Sequence, residues 1–396
     1  MAIGPARATV KPGRGVRMQV SDRGGIPRPG PTFGIATLMQ EPAARSLLPM
    51  KHTIGLFCCL CLGAGTFAAG RNGVSPQTPR SERAAPDLAR QTAELRRVIQ
   101  QSLRLPLEAV ELKALPPRDG WMLGMVSWIA VDRAGLIYLL QRGDKAEPIV
   151  VLDREGRVVR SWGKGMYTMP HAIRIDPQGN VWTTDAATSK VYKFTAEGRK
   201  LMEISVGGQP SPCRSITAIE SRSPTADSFC GTTDVAFAPN GHVFIADGYA
   251  NARVLEYSPD GRRLREWGSV GTGTGQFRLP HSIQVDEKGV IYVADRENGR
   301  IQRFDLNGRY LGEWTVFGKT FSLKVRDGAV WLSTQPRDLP NSSPGWLLKV
   351  DRDKGRLLGY VEVGGGEHGM EALENGELMV GPGPNRSAPQ WFRLPR

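Results

Sequence analysis

From about residue 124 the chain alternates apolar and polar positions in short runs, and the runs come in copies. Ile129-Ala130-Val131-Asp132-Arg133-Ala134-Gly135-Leu136-Ile137-Tyr138 is one copy: an alternation, a turn bearing Gly, a second alternation. Ile173 to Trp182 repeats it, as do Val235 to Phe244, Ile283 to Tyr292 and Leu323 to Trp331, with a weaker sixth at Met370 to Met379. Period-two patterning predicts strands, and each copy leaves room for two more. The turn glycines fall at 135, 179, 241, 289, 328 and 376, a spacing of roughly 40–60 residues that suits four-stranded propeller blades. The pattern predicts an all-β fold, a six-bladed β-propeller over residues 108–396. Its last copy runs short at Trp391-Phe392-Arg393-Leu394. A closed ring must hide its edges, so the alternating Glu108-Ala109-Val110-Glu111-Leu112-Lys113 is expected to pair into the sixth blade.

Ahead of the repeats the pattern changes. Leu88, Leu95, Val98, Ile99 and Leu103 predict one amphipathic helix within Pro86 to Leu103, packed on the body after a polar linker; linker and helix together occupy residues 71–107. Met50-Lys51-His52, an apolar run from Ile54 to Leu62 and the small residues through Gly70 describe a secretory signal peptide over residues 50–70. The run is too short and too rich in Gly for a stable membrane span. Residues 1–49, rich in Gly, Pro and Arg, read as a disordered extension or a start placed too early. Ordinary extension before an internal anchor is the alternative. Export to the periplasm or the extracellular space is the expectation. Cys58, Cys59 and Cys61 would leave with the signal. Cys213 and Cys230 then remain as a pair in one Ser/Pro-rich insertion, read as a disulfide, or as two thiols if the protein stays in the cytosol.

Charge refines the partner question. The net charge of +13 would normally raise nucleic acid or an acidic membrane surface. Residues 1–49 hold seven basic and two acidic side chains, and residues 50–110 hold eight and four. The remaining 286 residues hold 37 and 33, so the body has only a modest surplus. Nucleic-acid binding by the body loses its support, and a monomer is expected.

Aligning the copies on their first strand gives one column: Ser127, His171, Thr233, His281, Phe321 and His368. Innermost strands line the central channel, so the histidines of blades two, four and six should converge near the axis. A lone inner-strand His is commonly a satisfied core residue; three at one blade position point to a metal. Three imidazoles with a fourth position open are a catalytic zinc arrangement. Antiparallel pairing returns the second strands to the same face, placing Arg142, Tyr249 and Arg296 over that metal. There they become candidates for anion binding and proton transfer rather than solvated loop residues.

Phe229-Cys230-Gly231-Thr232-Thr233-Asp234-Val235, Ala246-Asp247-Gly248-Tyr249, Gly275-Gln276-Phe277, Pro280-His281-Ser282 and Val293-Ala294-Asp295-Arg296-Glu297-Asn298-Gly299-Arg300-Ile301-Gln302 closely resemble the peptidyl-α-hydroxyglycine α-amidating lyase family. That resemblance covers roughly residues 120–385 and implies a six-bladed propeller of NHL-type repeats. It implies zinc on His171, His281 and His368, with Tyr249 as catalytic tyrosine and Arg142 and Arg296 as active-site arginines. It implies cleavage of a peptidyl-α-hydroxyglycine to an amide and glyoxylate, hence a small-molecule or peptide substrate carrying a carboxylate. Tyr249 would act as a phenolate base, one arginine lowering its pKa and the other holding the carboxylate, with the assignment open. Three features depart from the family. Gly369 stands where an acidic calcium ligand is usual, which removes the support for a structural Ca2+. Ala250 replaces a cysteine, which leaves Cys230 to pair with Cys213. No segment of the chain resembles the monooxygenase that makes the substrate. Two other functions compete: a non-catalytic propeller that binds a protein or glycan on its channel face, and a metal-dependent lactonase-like hydrolase.

Overall fold

The computed structural model describes residues 88–206, 231–249, 251–341, 343–365, 367–382 and 388–395. Residues 1–49, the segment 50–70, Cys213 and Cys230 lie outside the described residues, and everything below concerns the unit Arg80–Arg396.

Six four-stranded antiparallel sheets form the blades of a propeller. Their innermost strands are Val126–Val131, Pro170–Ile175, Thr232–Phe237, Pro280–Val285, Lys319–Arg326 and Gly369–Ala372. Each packs against the inner strands of the blades before and after it, and the sixth packs against the first, so the ring closes. Closure uses the expected strand: Glu108–Glu111 pairs antiparallel with Gln390–Arg393, Ala109 opposite Phe392, and becomes the outer strand of blade six. All six turn glycines have positive φ, between 72° and 85°, a region that only Gly enters without strain. In blades one, two and four an Asp opens the same turn: Asp132, Asp176 and Asp286 accept the backbone N–H four residues on.

The second strands are buried on both faces, and apolar clusters fill the spaces between successive blades. Helix α1 (Leu88–Gln100) docks on blades four and five, with Leu95 and Ile99 buried among Tyr292, Ala294 and Leu323. It stops at Gln100, short of Leu103, which is 65% exposed, and its docking face buries Thr92 rather than Leu88. Thr92 Oγ1 donates to Asp338 at 2.7 Å, which satisfies a polar group that the docking face covers. No helix among the described residues is long and apolar enough to cross a membrane.

Candidate metal centre

The side-chain column predicted from the repeats coincides with a fault in the sheets. In blades one to five the inner-strand ladder shifts register around Ser127, His171, Thr233, His281 and Phe321. A bulge residue lacks a ladder partner, so its side chain is re-aimed and its carbonyl is left over. Here the leftover carbonyls are used. His171 Nδ1 donates to the Thr233 carbonyl at 2.6 Å, His281 Nδ1 to Phe321 at 2.5 Å, and His368 Nδ1 to Ser127 at 2.9 Å. Each histidine is thus held by the column residue of the next blade. The odd blades add bonds of their own: the Thr233 hydroxyl donates to the Pro280 carbonyl, just before His281, and the Ser127 hydroxyl lies within reach of the Pro170 and His171 carbonyls, at 3.2 and 3.0 Å.

A carbonyl can only accept, so each Nδ1 carries the proton and each Nε2 keeps a lone pair. These atoms converge within 4.8 Å of one another, and the ring centroids form a near-equilateral triangle of 4.8, 4.6 and 4.9 Å. All three imidazoles are held neutral. Burial pushes His171 and His281 well below the usual imidazole range and His368 down to about 3. Neighbouring histidines add to this at His171 and His281, and the Arg142 and Arg296 guanidiniums act on the group as well. Two buried aspartates support the loops that deliver the ligands. Asp185 accepts the N–H groups of Thr168 and Met169, and Asp295 accepts that of Arg278.

Tyr249 hangs over this triangle, its hydroxyl 3.0 Å from His171 Nε2 and 2.9 Å from His281 Nε2. One phenol proton cannot satisfy two lone pairs, and the third Nε2 converges on the same point. Three buried, neutral nitrogen donors crowded in this way fit a metal cation. Burial holds the Tyr249 phenol above its usual value, although Arg296 and Arg142 pull it down, Arg296 also through a hydrogen bond. Both sequence-predicted arginines are therefore in the site. Arg296 lies over the Phe321 ring at 5.1 Å and is paired with Glu297 at 2.7 Å. Arg142 Nε donates to the Pro170 carbonyl at 2.9 Å. Among the described residues Arg142 is in no salt bridge.

A second cationic layer adjoins the histidines, and sequence reasoning missed it. The Trp128 ring touches His171 and His368 on one side and carries the Arg174 guanidinium at 4.8 Å. Arg174 makes a two-point pair with Asp234, Nε to Oδ1 at 3.0 Å and Nη2 to Oδ2 at 2.7 Å. Ser282 and the Ile283 N–H complete the shell of Asp234, and the Leu323 carbonyl accepts from Arg174. Position 369 fits no calcium ligand. A Cβ there would fall 2.5 Å from the Ser127 carbonyl oxygen and 2.6 Å from Trp128 Cα, so only glycine lets the two strands approach. A cavity of about 640 Å³ lies elsewhere, at the far ends of the inner strands of blades one and six, lined by Val131, Asp132, Leu373 and Trp391 among others.

An NHL repeat pattern matches residues 277–304, the region of His281 and Arg296. A probable peptidyl-α-hydroxyglycine α-amidating lyase of Caenorhabditis elegans is 29% identical over 295 residues, covering 65% of this chain and 79% of the relative. Peptidyl-glycine α-amidating monooxygenase B of Xenopus laevis is 34% identical over 212 residues, 46% of this chain; the match spans only 23% of that longer protein. Among solved structures, a gluconolactonase from Xanthomonas campestris superposes with a TM-score of 0.51 at 14% identity, over 75% of this chain and 92% of that one, a likeness of fold alone. The chain is thus similar in sequence to proteins named peptidyl-α-hydroxyglycine α-amidating lyases, and its fold is a six-bladed propeller with an NHL repeat at residues 277–304.

Proposed function

We propose that the protein is a zinc-dependent lyase that splits the N–C bond of an N-acyl- or peptidyl-α-hydroxyglycine into an amide and glyoxylate. The observation that carries this reading is the triangle of Nε2 lone pairs beneath the Tyr249 hydroxyl. The names of the relatives supply the reaction class. His171, His281 and His368 would hold the metal, and three imidazoles suit zinc. When bound, zinc supplies Lewis acidity toward the substrate's carbinol oxygen.

The rest is work for side chains. Tyr249, as phenolate, accepts the proton of the substrate hydroxyl. The oxygen lone pair becomes the new C=O of glyoxylate, the C–N bond breaks, and its electron pair stays on nitrogen. Tyr249 returns the proton there, so the amide leaves neutral and the base is regenerated. A free phenol titrates near 10, and burial outweighs the pull of Arg296 and Arg142 and holds Tyr249 above that value, so a bound metal cation would have to add to the two guanidiniums to favour the phenolate. Their surroundings support a division of labour. Arg296 bonds the phenol and is already compensated by Glu297, which suits it to tuning Tyr249. Arg142 makes no salt bridge among the described residues, and a half-buried guanidinium that Asp185 acts on only at a distance suits capture of the substrate carboxylate. We extend the proposal to an exported protein, on the residue pattern at 50–70.

Purified protein should contain about one zinc per chain by elemental analysis and release glyoxylate from N-benzoyl-α-hydroxyglycine. Tyr249→Phe should keep the metal and lose about 100- to 10,000-fold in kcat, the range of a lost general base. No glyoxylate from metal-replete wild type would sink the lyase reading.

A further inference from the structure

Arg296 depends on a chain of contacts that ends outside the propeller. Its Nε and Nη2 both bond one oxygen of Glu297, at 2.8 and 2.7 Å. Adjacent residues cannot pair this way on a regular strand, where successive side chains point to opposite faces. They do so here because the strand ends at Asp295 and Gly299, with φ of +64°, turns the chain back, its N–H bonded to the Arg296 carbonyl. Glu297 is itself gripped. Its second carboxylate oxygen faces Lys319 Nζ at 3.9 Å, and its carbonyl accepts from Arg337 Nη2. Burial pushes the Glu297 carboxyl up, but Arg296 and Lys319 outweigh this and hold it below the usual range.

Arg337 crosses Gly299 so closely that a Cβ there would lie 2.2 Å from Arg337 Cδ. Its other amino group, Nη1, donates to Gln91 Oε1 at 2.5 Å, on helix α1. One residue on, Thr92 holds Asp338, so two successive residues of α1 bind two successive residues of the loop after blade five's second strand. Leu95 and Ile99 anchor the helix in the core between blades four and five. The path Gln91, Arg337, Glu297, Arg296 therefore links a rigidly docked helix to the guanidinium that bonds the Tyr249 phenol.

We propose that Glu297 is the positioning residue of this site, and that helix α1 locks it through Gln91 and Arg337. Glu297 fixes the Arg296 guanidinium over the Phe321 ring and toward Tyr249; without it the guanidinium would swing to other rotamers and lose the phenol. The kinetic part of this proposal rests on the lyase reading, and the structural part does not.

Glu297→Ala is the first test, with Glu297→Gln and Glu297→Asp beside it. We expect Glu297→Ala to lower kcat/KM about 10- to 100-fold at unchanged zinc content, the cost of a misplaced catalytic partner. Glu297→Gln, which keeps shape and can still accept, should lose less, and Glu297→Asp should recover part of the loss. Arg296→Gln/Glu297→Ala should be no worse than Arg296→Gln alone, since one acts only through the other. Gln91→Ala should show a smaller loss, about 2- to 5-fold, absent in the Glu297→Ala background. Independently of any reaction, a crystal structure of Glu297→Ala should show the Arg296 guanidinium displaced from Phe321. Unchanged kcat/KM in an active protein, additive losses in the double variant, or an Arg296 that stays in place would overturn the proposal. Inactive wild type would instead remove the lyase reading, leaving the crystallographic arm to judge the positioning.

Discussion

The three histidines and the Arg174–Asp234 pair lie in neighbouring layers of one channel, in contact through Trp128, yet they are opposite in kind. The Arg174 layer carries its own cation. The guanidinium is matched by a carboxylate at two points, the carboxylate by a hydroxyl and backbone N–H groups, and an indole face covers the planar cation. The histidine layer is built the other way. Every Nδ1 is spent on a neighbouring carbonyl and every Nε2 is aimed inward, neutral, at a common point. One layer matches its charge from within the chain, although Arg174 Nη1 finds no hydrogen-bond partner among the described residues; the other gathers three donors that could hold a metal ion. The contrast separates a buried charge that holds strands together from three buried donors that could hold a metal ion.

The strongest way to break this contrast is His281→Ala. It should abolish metal retention and lower turnover at least about 1,000-fold, while the cavity costs only about 1–3 kcal/mol of stability. Elemental analysis and denaturant unfolding read the two effects separately, and bound metal in this variant would refute the ligand assignment. Asp234→Ala attacks the other layer and should do the reverse. It strands a buried guanidinium, at a cost of about 3–5 kcal/mol, while whatever folds should still bind one metal. A stability change below about 1 kcal/mol would show that Arg174 finds another partner. The third and smallest effect concerns pH. The folded imidazoles titrate below the unfolded value of 6.5, His368 at about 3, so the unfolded chain binds protons first. Metal-free protein should therefore keep its full stability above pH 6.5 and lose it progressively as pH falls from there toward about 3. Metal retention should change little between pH 7 and 5, as followed by dialysis and elemental analysis; release centred near pH 6.5 would mean that the imidazoles are solvated.

The propeller was legible because a blade is a local object. Turn glycines, alternation and the short last copy are near-neighbour properties, and they placed the six inner strands and the closing strand Glu108–Glu111. The histidines were legible because the repeats supply an alignment within one chain. Tyr249, Arg142 and Arg296 followed from antiparallel pairing, which returns each second strand to the face of the histidines. The bulges were not legible, since an extra residue in an inner strand leaves the alternation on either side intact. Arg174 and Asp234 resembled ordinary polar strand residues, although a charged residue in an otherwise apolar inner strand was a signal that could have been followed. Glu297 was read only as part of a motif, because its function depends on Lys319 and Arg337.

The sequence by itself thus determined the number of blades, the way the ring closes and which side chains reach the axis, all consequences of backbone period and turn stereochemistry. Only the tertiary structure decided what those side chains are once there. The imidazole tautomers are set by carbonyls 62, 40 and 241 residues away, and the phenol sits between histidines 78 and 32 residues from it. Proton positions and charge states depend on such through-space partners and on burial, which closing the ring creates and no local pattern encodes.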